Sequence, residues 1–238
     1  MTPSQHTIAG TVLTMPVRIR RATQHMAMFS VDADAAQRMI DYSGLRVCRY
    51  LPGRAIVVLM LMHYIDGDLG QYHEFGTSVM VNPPGSPASG PRALGSAGAF
   101  IHHLPVDQPF TLEAGTKIWG YPKVMADFTV REGRQFGFDV SVDGQLVVDM
   151  EFGRGLPFRL TPRQQEQRTY SHRDGVTRET AFEHTLDGVR TRFGGVGVRL
   201  GDHPYAKELA ALGLPKRAML STSVDNVQMT FGDAQEIS

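Results

Sequence analysis

The sequence predicts a mainly β protein of the α+β class. Residues 1–238 form one antiparallel domain, either a large β-barrel or packed sheets with a few helices. Three observations carry this. Branched and aromatic residues gather in runs of strand length. Alternating segments meet at Asp143-Gly144 and Asp174-Gly175, dipeptides that accept the positive φ of a hairpin turn. Helical spacing is confined to two short segments.

In chain order, Asp32–Leu45 offers an aspartate cap, helix formers and a terminating glycine, and predicts the first helix. Ala55–Ile65 is a continuous apolar run and reads as a strand buried on both faces. After the turn residues "DGDLG", Gln71–Val81 completes a hairpin. The segment 82–98, "NPPGSPASGPRALGSAG", reads as a loop. Phe110–Trp119 and Val124–Glu132 are expected as strands on either side of "GYPK". Gln135–Phe152 and Thr169–His184 are the two hairpins named above. The stretch "TRFGGVGV" (191–198) reads as a loop, His203–Leu214 as the second helix and Met219–Phe231 as the last strand.

Composition excludes several functions. Acidic and basic residues balance at 24 each, which removes the electrostatic footprint of a nucleic-acid or anionic-membrane binder. The single cysteine, Cys48, forms no internal disulfide and no thiolate metal cage. The N-terminal stretch lacks the pattern of a secretory signal, and the run Ala55–Met62 is too short to cross a bilayer as a helix. A cytoplasmic location is expected.

Several histidine and glycine clusters invite a site. The glycines of 194–198 lack the spacing and the strand-to-helix setting of a dinucleotide fingerprint. Adjacent His102 and His103 on a regular strand point to opposite faces, so they are not expected to chelate together. His63, His73 and Glu74 could meet across a hairpin and hold a metal, although spacing alone is weak support. No cofactor is expected, and the sequence has no nucleophilic serine or cysteine motif.

Lys123 leaves two readings open. After a proline, a lysine is commonly solvated. Here Ile118, Trp119, Tyr121, Val124 and Met125 surround it with core-type residues, and Pro122 restrains the backbone. A lysine buried in such surroundings avoids the cost of desolvation by losing its proton, which makes it a nucleophile.

The segment "GTKIWGYPKV" resembles the signature of the acetoacetate decarboxylase superfamily, and "YHEFGTSV" resembles its active-site glutamate segment. Weaker similarity covers "VDADAAQRMI" and "VDQPFTLEAG", so the resemblance spans most of the first 130 residues. It implies that Lys123 is a Schiff-base lysine and Glu74 its catalytic partner. Acetoacetate decarboxylase is itself a standard illustration of a lysine activated by desolvation or by a neighbouring cation.

Two departures stand out. Val124 occupies the place of a second lysine, so burial is expected to do the tuning, with Val124 contributing apolar surface. Lys117 lies six residues back, about 20 Å along an extended strand, too far to replace that cation. A gapless alignment places Ala22 where the family has its substrate-binding arginine, with Arg21 one step away. Arg21 is offered on chemical grounds as the group for a keto-acid carboxylate, and Trp119 and Tyr121 as further substrate-binding residues.

The resulting expectation is a lyase that forms a Schiff base between Lys123 and a small keto acid and decarboxylates a β-keto acid. The alternatives are an aldolase-dehydratase using a pyruvate-type enamine and a non-catalytic barrel that binds a small ligand. The expected partners are a keto acid and further copies of the chain.

Overall fold

The computed structural model describes residues 3–158 and 161–237. Strands β1 (Gln5–Ile8) and β2 (Thr11–Thr14) form a hairpin, and β3 (Val17–Asp32) follows as a strand of 16 residues. Asp32 then caps α1 (Ala33–Ile40), its carboxylate accepting from the Ala35 amide at 2.8 Å. The apolar runs give β4 (Arg54–Gly67) and β5 (Tyr72–Val81), paired antiparallel, with β6 (Gly98–Val106) beyond the glycine- and proline-rich loop.

Phe110–Trp119, expected as a strand, is helical: α2 spans Pro109–Trp119. Its ends decide the matter. The Gln108 side chain accepts from the Thr111 amide at 2.7 Å, and Pro109 occupies the first turn, where a missing N–H costs nothing. Gly120, at φ 64°, ends the helix in the left-handed region that favours glycine. These caps outweigh the strand preference of Thr, Ile and Trp.

The chain then enters β7 (Lys123–Met125) and the meander β8 (Asp127–Arg131), β9 (Phe136–Val142) and β10 (Gln145–Phe152). After a short β11 (Leu156–Pro157) come the long hairpin strands β12 (Gln165–Arg173) and β13 (Val176–Arg192). The expected loop at 191–198 is in part strand, because β14 (Val196–Leu200) pairs with β10. Helix α3 (Pro204–Ala211), β15 (Leu220–Phe231) and β16 (Gln235–Glu236) complete the chain.

The order β13-β12-β6-β5-β4-β3-β15 returns to β13, which pairs with both β12 and β15, so the large sheet closes on itself. Closure removes free edges from these strands. On its outer face, Phe29, Leu59 and Phe75 share one core with Phe138, Val148 and Phe152 of the four-stranded sheet β14-β10-β9-β8. The other face forms a second core, in which Met62, Tyr64, Tyr72 and Leu104 pack with Ala114, Ile118 and Trp119. Each fully buried side chain of this size contributes about 1.5–3 kcal/mol. Among the described residues, no helix is long and apolar enough to cross a membrane.

Candidate active site

Lys123 opens β7, which runs parallel to β6 and places it opposite Leu104. Alternation turns Lys123 inward and Val124 outward, while Met125, on the lysine's side of the strand, ends β7 at the solvent rim. Val124 is 45% and Met125 43% exposed, so the expectation that they bury the lysine fails. The enclosure comes instead from α2 and from the inner face of β4 and β5.

The lysine ammonium donates to Oε2 of Glu74 at 2.7 Å and to Oγ1 of Thr111 at 2.9 Å. It also lies 5.2 Å from the centre of the Tyr72 ring. Only 3% of the Lys123 side chain and 9% of the Glu74 side chain are exposed. Gly115 makes this path possible, because a Cβ there would sit 2.4 Å from Cε of Lys123. Helix α2 therefore supplies a hydroxyl and, one turn later, a bare stretch of backbone against which the lysine lies.

Glu74 enters from β5, opposite Met62 of β4. Its Oε1 accepts the Tyr64 hydroxyl at 2.9 Å, and the Tyr64 ring stacks on Tyr72 with centroids 4.2 Å apart. Burial, and after it the Glu74 charge, raise the Tyr64 phenol well above its ordinary range; the same causes act on Tyr72. Burial pushes Tyr121 up to about 12. All three hold their protons at neutral pH, and Tyr64 donates its own to Glu74.

A buried ammonium–carboxylate pair is expensive to desolvate, and removing one partner costs about 3–5 kcal/mol. Its retention inside an apolar core is a reason to look for chemistry. Oε2 of Glu74 is within proton-transfer distance of Nζ, while Oε1 is held by Tyr64. The carboxylate is thus fixed, with one oxygen committed to the amine.

The other sequence candidates are placed differently. Arg21 is exposed and lies opposite Asp66, at an irregularity in the pairing of β3 with β4. The next residue, Ala22, is fully buried and lies opposite Tyr64. The slip does not turn the guanidinium inward, so Arg21 is not brought to Lys123 and Glu74.

The chain does fold back at Gly120, so the extended-strand distance to Lys117 does not apply. Lys117 is nonetheless directed to solvent, where it pairs with Glu113 one turn away. Trp119 is buried, its indole N–H donating to the Gly232 carbonyl at 2.8 Å, and its ring lies near Tyr121 and Phe231. The Tyr121 hydroxyl shares a hydrogen bond of 2.7 Å with Thr169. His63 and His73 stack directly across the β4–β5 hairpin, but Glu74 points to the other face, so the three do not assemble around a metal.

His102 and His103 depart from expectation as well. The pairing of β5 with β6 slips between Thr77, opposite His103, and Ser78, opposite Ile101. His102 is the extra residue of a bulge, which cancels the alternation and lets both rings reach Glu208.

Thr111, Gly115, Tyr64 and Tyr72 complete the site and were not singled out from the sequence. Gly115 carried a usable signal. A glycine inside a helix costs about 1 kcal/mol relative to alanine, so its presence points to a close approach. Reading the segment as a strand hid that signal.

Comparison with known proteins shows the family and the fold. The family model described as acetoacetate decarboxylase (ADC) matches residues 2–235. No curated protein matches the chain. Among solved structures, the enduracididine biosynthesis enzyme MppR in complex with pyruvate superposes with a TM-score of 0.68 at 18% identity, covering 100% of this chain and 99% of that one. Acetoacetate decarboxylase from Legionella pneumophila gives 0.67 at 16% identity, covering 94% and 87%. An acetoacetate decarboxylase-like enzyme from Sphingomonas wittichii RW1 gives 0.60 at 14% identity, covering 99% and 100%.

Proposed function

Because the chain belongs to the acetoacetate decarboxylase family, we propose that it is a Schiff-base lyase that decarboxylates a small β-keto acid on Lys123. The observation that carries this reading is the buried contact of 2.7 Å between Nζ of Lys123 and Oε2 of Glu74. In this mechanism the pair shares one proton. Its transfer to Glu74 frees the lysine lone pair, which attacks the ketone carbon, and loss of water leaves an iminium. The bond to the β-carboxylate then breaks, its electron pair moves into the iminium, and CO2 departs. Glu74, having given its proton to the departing water, takes another from solvent and delivers it to the enamine carbon. Water then hydrolyses the resulting iminium, releasing the ketone and restoring the amine.

The remaining groups position the reactants. Thr111 holds Nζ in place, and Tyr64 orients the carboxylate. With Arg21 turned to solvent, a substrate carboxylate inside the site would meet phenols and apolar side chains instead of a guanidinium. Such poor solvation of the anion favours its loss as neutral CO2. Since Lys123 is enclosed, the substrate reaches it only when neighbouring side chains part.

A second reading rests on the same pair. Glu74 can also remove a proton from the carbon next to the iminium, which would make a pyruvate-type enamine for aldol addition and dehydration. MppR, solved with pyruvate and with its condensation product with imidazole 4-carboxaldehyde, is the structural neighbour that suggests it. Assays with acetoacetate alone, and with pyruvate plus an aromatic aldehyde, separate the two. Release of CO2 from acetoacetate supports decarboxylation. Consumption of aldehyde without CO2 release would replace it with the aldol reading.

A further inference from the structure

The bulge in β6 does more than break alternation. It directs two imidazoles at one carboxylate oxygen: Nε2 of His102 lies 2.8 Å, and Nε2 of His103 2.7 Å, from Oε2 of Glu208. The three candidate ligand atoms lie within 4.8 Å of one another. Both rings are held, His102 by a hydrogen bond at its second nitrogen and His103 by packing against an aromatic ring. Nδ1 of His102 is 2.9 Å from the Tyr42 hydroxyl, and the His103 ring lies 4.0 Å from that of Tyr205, itself fixed by a hydrogen bond to Thr77. A partner on the second ring nitrogen is the arrangement that sets the tautomer of a metal-bound histidine. The nearby His203 is engaged elsewhere, its Nδ1 accepting the Tyr205 amide at the start of α3.

We propose that His102, His103 and Glu208 form a zinc site that clasps α3 to β6. A tetrahedral ion with bonds of about 2.0–2.2 Å separates its ligand atoms by roughly 3.3 Å. Each His–Glu208 contact must therefore lengthen by about half an ångström, and the two imidazole nitrogens, which lie within 4.8 Å of one another, must settle at the same spacing. Glu208 can supply that movement, since its side chain is 44% exposed, whereas that of His102 is only 10% exposed. Three protein ligands leave a fourth position for water. The site lies on the outer face of the closed sheet, beside Tyr205 of the outer core, whereas Lys123 sits against the inner core. It is therefore separate from the Schiff-base centre.

The test uses the full chain freed of metal with a chelator and titrated with Zn2+ by calorimetry. A parallel titration with Co2+ reads coordination from the visible absorption bands. The expected result is one ion per chain, four-coordinate cobalt bands and a higher melting temperature with zinc. Glu208→Gln and His103→Ala should each weaken binding by more than about 100-fold, beyond the usual loss for an outer-shell change. Should His103→Ala fail to fold, Glu208→Gln decides alone, because the Glu208 side chain is the most exposed of the three and Gln matches it in size. Two outcomes overturn the proposal: no stoichiometric complex when zinc and protein are equimolar, or binding by folded Glu208→Gln with wild-type affinity.

Discussion

A methyl group added at Gly115 would lie 2.4 Å from Cε of Lys123, 2.6 Å from its Cδ and 3.2 Å from its Nζ. Those atoms belong to the free end of a flexible side chain, so the lysine moves and the backbone does not have to. Gly115→Ala should leave the protein folded, aided by about 1 kcal/mol of helix propensity. It should also slow iminium formation at least about tenfold, an expected loss for a displaced nucleophile. Borohydride trapping at a fixed time measures this, and an unchanged rate would show that the helix backbone does not position the amine. Glu74→Gln keeps a hydrogen-bond acceptor for Tyr64 but removes the proton carrier. The iminium should still be trapped while turnover falls by about 10²–10⁴-fold. Turnover near wild type would reduce Glu74 to a structural ion-pair partner. Lys123 and Glu74 were legible because each sits in a short motif. Thr111 and Gly115 were not, because their meaning depends on the helical period of α2. Arg21 was a choice from chemistry alone, and the irregularity of β3 that leaves both Arg20 and Arg21 exposed decides its direction.

Among the elements, the hairpins at Asp143 and Asp174 were readable from turn chemistry, since both residues take positive φ ahead of a glycine. The long strand β3 was harder to see. Its polar residues Arg18, Arg20, Arg21 and Gln24 interrupt the apolar pattern, and pairing on both sides with β4 and β15 supplies what the pattern lacks. β3 also carries His25 into the interface between the sheets, where it stacks on Phe136 at 3.6 Å and shares a hydrogen bond of 2.9 Å with Ser223. Burial lowers this imidazole to about 4. The unfolded chain then binds more protons than the folded one between about pH 6.5 and pH 4. The stability gained from a neutral His25 is complete above that window and is lost as the pH falls through it. Urea unfolding at pH 7 and at pH 4.5 should show the loss, and His25→Asn should reduce the difference between the two midpoints. An equal difference in both proteins would mean that other groups cause the acid sensitivity.

At the scale of the whole molecule, the β class and most strand positions follow from composition and turns, whereas closure does not. It depends on β13 pairing with both β12 and β15, a contact between distant parts of the chain that local periodicity does not encode. Closure has a functional consequence: it gives the sheet an inner core where an amine and a carboxylate meet away from water. The central claim is that Lys123, and no other lysine, forms the iminium. Incubation with acetoacetate, reduction with borohydride and peptide mass spectrometry test it directly. The account predicts a reduced adduct on the peptide carrying Lys123, with Lys117, Lys207 and Lys216 unmodified. Adducts spread over those three lysines, with Lys123 untouched, would contradict it.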